Sequence, residues 1–144
     1  MKTFDMQFIR YMNLFSKVTH VNPKHCFSYN NGLVFIVPKN TVQGLLGGNN
    51  ENLRQLSDIF GKRIRIVAQP SGEADMQKFI AVIVAPIQFD KAEIIKTEAG
   101  DREIIITTSN RESKAMLIGR GRARETELKD ILEQYFGVKI LRIN

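Results

Sequence analysis

The fold is decided by the stretch Gly44-Leu45-Leu46-Gly47-Gly48-Asn49-Asn50. Glycine permits positive φ angles and close approach of another backbone. The stretch is followed by an amphipathic helix with an apolar stripe of Leu53, Leu56 and Phe60. Free N–H groups at the start of such a helix favour an anion in front of them. The pattern therefore predicts either an anion-binding loop or a plain turn between two helices.

The residues around this stretch predict one complete α+β unit. Phe4, Phe8, Met12 and Phe15 have helical spacing. Asn30-Asn31-Gly32 lies between two β-prone segments and predicts a hairpin. A short helical segment is expected at about 40–43, before the glycine stretch. After the helix, Gly61 is expected as the C-terminal stop, and alternation over 64–68 predicts a strand.

The same order of elements recurs in the second half of the chain. With Gly44 aligned on Gly119, Leu53 falls on Leu128 and Leu56 on Ile131. Pro70-Ser71-Gly72 has the composition of a linker. We therefore predict an α+β protein of two domains, residues 1–71 and 72–144, packed into one rigid unit. Each would contain a three-stranded sheet covered by helices.

The second glycine loop, Ile118-Gly119-Arg120-Gly121-Arg122-Ala123-Arg124, differs from the first in charge. Residues 111–124 contain five basic residues and one acid, whereas residues 44–53 contain one acid and no basic residue. Cations beside a helix N-terminus oppose the helix dipole, so their placement indicates a function. The alternative is a solvated start of a helix.

This Gly-x-x-Gly arrangement between two short helices resembles the K homology (KH) family in its type II, bacterial-archaeal topology. In that family the loop clamps about four nucleotides of single-stranded RNA. Asn49 and Leu53 also match the pattern, and residues 61–67 resemble the closing strand. The second loop departs from it, because Arg122 stands where the motif has its last glycine. That side chain would alter the turn, obstruct the backbone approach or contact a phosphate.

The tandem arrangement resembles the archaeal NusA-like transcription factors, with a local match at Phe79-Ile80 and Ala85-Pro86. This resemblance implies a transcription elongation or termination factor that binds nascent single-stranded RNA and associates with RNA polymerase. An alternative stays open: a protein-interaction scaffold on RNA polymerase, or a ribosome-associated KH protein, with little RNA affinity of its own.

The resemblance implies RNA contacts from both loops and their flanks. Backbone amides would approach the sugar-phosphate chain, arginines would pair with phosphates, and Leu45 and Leu46 would contact bases. The expected RNA-binding residues are Lys39, Gly44, Leu45, Leu46, Gly47, Gly48, Asn49 and Arg54 in the first half, and Lys114, Gly119, Arg120, Gly121, Arg122 and Arg124 in the second.

Composition excludes several other classes of protein. The chain has 144 residues, 43% of them hydrophobic, and a net charge of +6, which fits a folded protein and suits a polyanionic partner. No apolar run is long enough for a membrane span. With one cysteine, Cys26, we expect a cytoplasmic chain, and His20, His25 and Cys26 are too few for a structural zinc site. Without a nucleophile elbow or a Walker loop we expect no enzyme and no cofactor. We also expect a monomer.

Overall fold

A computed structural model describes residues 6–144, so Phe4 of the predicted first helix lies outside the described residues. The chain divides between Gln69 and Pro70 into two compact units, called unit 1 and unit 2. No helix within residues 6–144 is long and apolar enough to cross a membrane.

Unit 1 is built on a three-stranded mixed sheet. Its elements are α1 (Met6–Thr19), β1 (His25–Tyr29), β2 (Gly32–Val37), a 3-10 turn (Lys39–Thr41), α2 (Val42–Phe60) and β3 (Ile64–Ala68). The central strand β2 pairs antiparallel with β1 and parallel with β3. The predicted hairpin is confirmed: Asn30 and Asn31, with φ of 50° and 61°, form the two-residue turn.

The core of unit 1 lies between this sheet and the helices. Phe15 of α1 stacks on Phe35 of β2, with ring centroids 4.4 Å apart. Leu56 of α2 is fully buried in the same cluster. The helical spacing read from the sequence therefore corresponds to the buried faces of α1 and α2.

Unit 2 repeats the architecture. Its elements are a 3-10 turn (Glu73–Asp75), α3 (Met76–Val84), β4 (Lys91–Lys96), β5 (Arg102–Thr107), α4 (Arg111–Ile118), a 3-10 turn (Arg120–Arg122), α5 (Ala123–Phe136) and β6 (Ile140–Ile143). Central β5 pairs antiparallel with β4 and parallel with β6. Leu128, Ile131 and Leu132 of α5 are fully buried, as their spacing predicts.

Both units thus share one order of elements and one sheet topology, and the α+β class is confirmed. The apparent difference is α2, which runs continuously where unit 2 has α4 and α5. Residues 47–50 interrupt α2 with non-helical backbone angles, so it too consists of two helical segments. This interruption positions the first candidate site.

Candidate nucleic-acid interface

The first loop occupies residues 47–50. Gly47 leaves the helix with ψ of 178°, and Gly48, Asn49 and Asn50 follow with φ of 61°, 61° and 60°. Such left-handed angles suit glycine, and asparagine tolerates them better than most residues. All four residues are exposed. The loop therefore begins three residues later than the sequence pattern predicts.

Two of the predicted contacts change with this shift. Gly44 and Leu45 lie in the helical segment before the break. Leu45 is only 2% exposed and packs in the core of unit 1, so the prediction that its side chain contacts bases is wrong. Leu46, the last residue before the loop, is 38% exposed and can meet a ligand.

The second loop follows α4 directly. Gly119 has φ of 76° and ψ of 171°, a region open essentially to glycine alone. Gly121 and Arg122 are left-handed, with φ of 61° and 64°, and α5 begins at Ala123. Arg122 therefore holds an angle that is unusual for a residue with a side chain.

With Gly47 aligned on Gly119, an offset of 72, Asn49 and Asn50 fall on the equally left-handed Gly121 and Arg122. The first residues of the two loops differ, since φ is −73° at Gly47 and 76° at Gly119. Aligning Gly44 on Gly119 is wrong. The helix ends instead correspond at Phe60 and Phe136, an offset of 76, because α5 is one turn longer than the second segment of α2. A non-glycine residue thus holds the last, left-handed position of both loops.

Each loop is braced from behind by a side chain five residues after its first glycine. Asn52 Nδ2 donates to the Leu45 carbonyl at 3.4 Å. In the matching place, Arg124 Nη1 donates to the Met116 carbonyl at 3.1 Å. Arg54 adds a further bond in unit 1, from Nη2 to the Asn49 carbonyl at 2.7 Å. These contacts tie the two helical segments together across each loop.

The bracing leaves few cations available at the second loop. Arg122 Nη1 lies 2.9 Å from Glu125 Oε1, and Arg124 is held against Met116. Arg120 and Lys114 are exposed and have neither an ion pair nor a side-chain hydrogen bond within residues 6–144. The charge available to a ligand therefore belongs to these two side chains.

Unit 1 offers less charge at its loop. Arg54 donates to the loop carbonyl of Asn49, and Lys39 is exposed in the 3-10 turn before α2. Sequence reasoning missed Asn50 and Asn52. The available signal was the asparagine pair directly after two glycines, since asparagine is the usual substitute for glycine in left-handed turns.

The histidine and cysteine side chains near β1 have surroundings unlike those of a metal site. His25 stacks on Phe27 with ring centroids 5.8 Å apart, whereas Cys26 is buried in the core. Burial lowers the pKa of His25 and raises the pKa of the Cys26 thiol to about 12. The described part of the chain contains no group of three or more His, Cys, Asp or Glu residues that could hold a metal ion.

Comparison with known proteins finds two relatives that are named as transcription proteins. No family model matches it. Two curated relatives are each named "Probable transcription termination protein NusA". The relative from Methanococcus vannielii is 26% identical over 92% of this chain and 73% of its own length. The relative from Methanocaldococcus jannaschii is 27% identical over 92% of this chain and 69% of its own length.

A solved structure has a similar fold. The protein in "Crystal structure of APE1850" matches with a TM-score of 0.69 and 21% identity, over 98% of this chain and all of that one. Neither curated relative has the name of an enzyme. With its two α+β units, the protein is similar over nearly its whole length to archaeal proteins that are named as probable NusA.

Proposed function

We propose that this chain is a single-stranded RNA-binding protein of transcription, built from two tandem type II KH-like domains. The observation that carries the proposal is the pair of matched, exposed loops at residues 47–50 and 119–122. Each lies between two helical segments, beside a sheet of the same topology. Both loops end in two consecutive left-handed residues, which cost backbone energy, and this repetition favours a shared ligand over a plain turn.

The loops would contact the RNA backbone through their glycines and N–H groups. Close approach is possible at Gly47 and Gly48 because no side chain covers them. Arg120 and Lys114 would pair with phosphates at the second loop, and Leu46 would contact a base at the first. Each loop would hold about four nucleotides, or about eight for the two loops.

The names of the two relatives support a role in transcription termination. We infer that the RNA is the nascent transcript and that RNA polymerase is a partner. The scaffold alternative gains some support from Arg122 and Arg124, because both bind groups within unit 2. Direct RNA binding discriminates between the two functions.

The test is binding of an eight-nucleotide single-stranded RNA across a salt titration. The double variant K114A/R120A should weaken binding and make its salt dependence shallower by up to ~1.4, at ~0.7 for each lost phosphate contact. The charge-matched control K91A/K139A removes two exposed lysines of unit 2 outside the loop. No binding by the unmodified chain, or equal losses in both variants, would reject the proposal.

A further inference from the structure

Exposed polar and cationic residues lie on neighbouring backbone segments at the hairpin tip of unit 1. Asn31 lies in the turn between β1 and β2, and Lys62 and Arg63 connect α2 to β3. These three residues are called the hairpin-tip patch. The Leu33 N–H donates to the Arg63 carbonyl at 2.9 Å. A Cβ at Gly32 would lie 2.7 Å from that oxygen, so the two backbone segments are in direct contact.

Lys62 and Arg63 lie on a backbone segment that is held in place, and the charges of their side chains are available to a ligand. Ser57 Oγ donates to the Lys62 carbonyl at 2.9 Å, which holds the connection in place. Neither Lys62 nor Arg63 has an ion pair or a side-chain hydrogen bond among residues 6–144. Asp58, four residues before Lys62, pairs with neither. The patch therefore carries two uncompensated positive charges.

The corresponding place in unit 2 has a different character. Its turn contains Glu98 and Asp101. By the offset of 76 that matches the helix ends, Val138 stands at the position of Lys62, and Lys139 at that of Arg63. Val138 is fully buried. The fold thus accepts an apolar residue and mixed charges here, and the purely cationic tip is a property of unit 1.

The chemistry of the patch fits a hydrophilic polyanion. Protein interfaces rely on a desolvated apolar or aromatic centre. None of the three patch residues supplies one, and the exposed Ile59 lies on α2 before Gly61. Cations with an amide and no apolar anchor are typical of contacts to nucleic-acid phosphates.

We propose that the hairpin-tip patch is a second phosphate-binding surface, which contacts RNA beyond the segment held at the glycine loops. Residues 51–60 separate it from the first loop by ten helical residues, about 15 Å. The patch therefore acts on longer RNA. The inference rests on the proposed RNA-binding function, but it uses a different set of residues.

The test compares K62A/R63A with the unmodified chain on uridine oligonucleotides of two lengths, 8 and 24 nucleotides. We expect unchanged affinity for the 8-mer. For the 24-mer at low salt we expect a loss of about three- to tenfold and a shallower salt slope. The charge-matched control K91A/K139A should match the unmodified chain on both lengths, and melting temperatures establish that each variant is folded.

The possible outcomes separate this inference from the proposed function. Unchanged binding of the 24-mer by K62A/R63A would overturn the second surface, as would an equal loss on both lengths. If poly-glutamate binds the tip while the 24-mer shows no tip-dependent loss, the partner is an acidic protein segment and the proposal is wrong. Failure of the unmodified chain to bind either oligonucleotide would instead overturn the RNA-binding function itself.

Discussion

Arg124 Nη1 donates to the Met116 carbonyl at 3.1 Å and so joins the first turn of α5 to the end of α4. The same side chain packs its Cβ and Cγ against Gly119. Asn52 makes the equivalent bond to the Leu45 carbonyl in unit 1. An arginine expected to pair with phosphate therefore shapes the loop from behind, and its substitution should affect stability.

Arg124 and Arg120 should separate stability from binding. R124A removes a hydrogen bond and side-chain packing, so we expect a loss of about 1 kcal/mol in the free energy of unfolding. R120A removes an exposed side chain without a partner in residues 6–144 and should change stability by less than about 0.5 kcal/mol. Urea denaturation measures both variants. Equal stability of the two would contradict the bracing role of Arg124.

Gly119 and Gly44 form a second matched pair. In G119A the new Cβ would lie 2.8 Å from Arg124 Cγ and 3.0 Å from its backbone nitrogen. The backbone region is also open essentially to glycine alone, so we expect a cost of about 1–3 kcal/mol or more. Gly44 is helical, and a Cβ added there would meet no atom within 4 Å, so G44A should stabilise by about 0.5–1 kcal/mol.

Thermal unfolding and RNA binding distinguish these two variants. We expect G44A to keep its RNA affinity, because Gly44 precedes the loop. A large loss of RNA affinity in a stable G44A protein would indicate that Gly44 does belong to the RNA-binding site. It would also favour a loop that begins at Gly44 over one that begins at Gly47.

The sequence predicted the order of elements well, because helical spacing, an Asn-Gly turn and glycine stops are local signals. The register of the first loop was not predictable in the same way. Gly44 and Gly47 look alike in the sequence, and only packing of Leu45 in the core shows that the helix continues past Gly44. The one-turn difference in length between the second helical segments also obscured the alignment of the repeat.

The charge of the second loop was predicted, but its use was not. Arg120, Arg122 and Arg124 cannot be distinguished by residue type, and the partner of each depends on the local backbone conformation. Arg122 itself has a left-handed backbone angle directly before α5, and its side chain pairs with Glu125. A sequence pattern shows that these arginines are present, but it does not show the contacts that decide their roles.

Leu45 and Leu46 are adjacent but should behave differently. L45A removes a buried core side chain, so we expect a loss of about 2–5 kcal/mol in the free energy of unfolding. L46A truncates an exposed side chain and should change stability by less than about 0.5 kcal/mol. It should lower RNA affinity, because Leu46 is the apolar contact at the loop. Denaturation and RNA titration of L46A check both parts, and full RNA affinity in L46A would remove it from the site.

Glu125 should restrain RNA binding, because it pairs with Arg122 at the second loop. E125Q removes the negative charge and leaves Arg122 available, so we expect RNA affinity to rise about two- to threefold at low salt. E133Q is the matched control, since Glu133 pairs with Lys129 near the other end of α5. An equal rise in RNA affinity in both variants would show that net charge, and not the Arg122–Glu125 pair, causes the effect.

His25 should make stability depend on pH. Burial lowers its pKa, so the folded state favours the neutral imidazole. His25 binds a proton more readily in the unfolded chain than in the folded one. The contribution of His25 to stability is therefore complete above its ordinary pKa of about 6.5. That contribution is lost as the pH falls from this value through the lower pKa of the folded state. Urea denaturation from pH 5 to pH 8 should therefore show a fall in stability on the acid side that is smaller in H25Q. The same acid-side loss in both proteins would assign the effect to other groups.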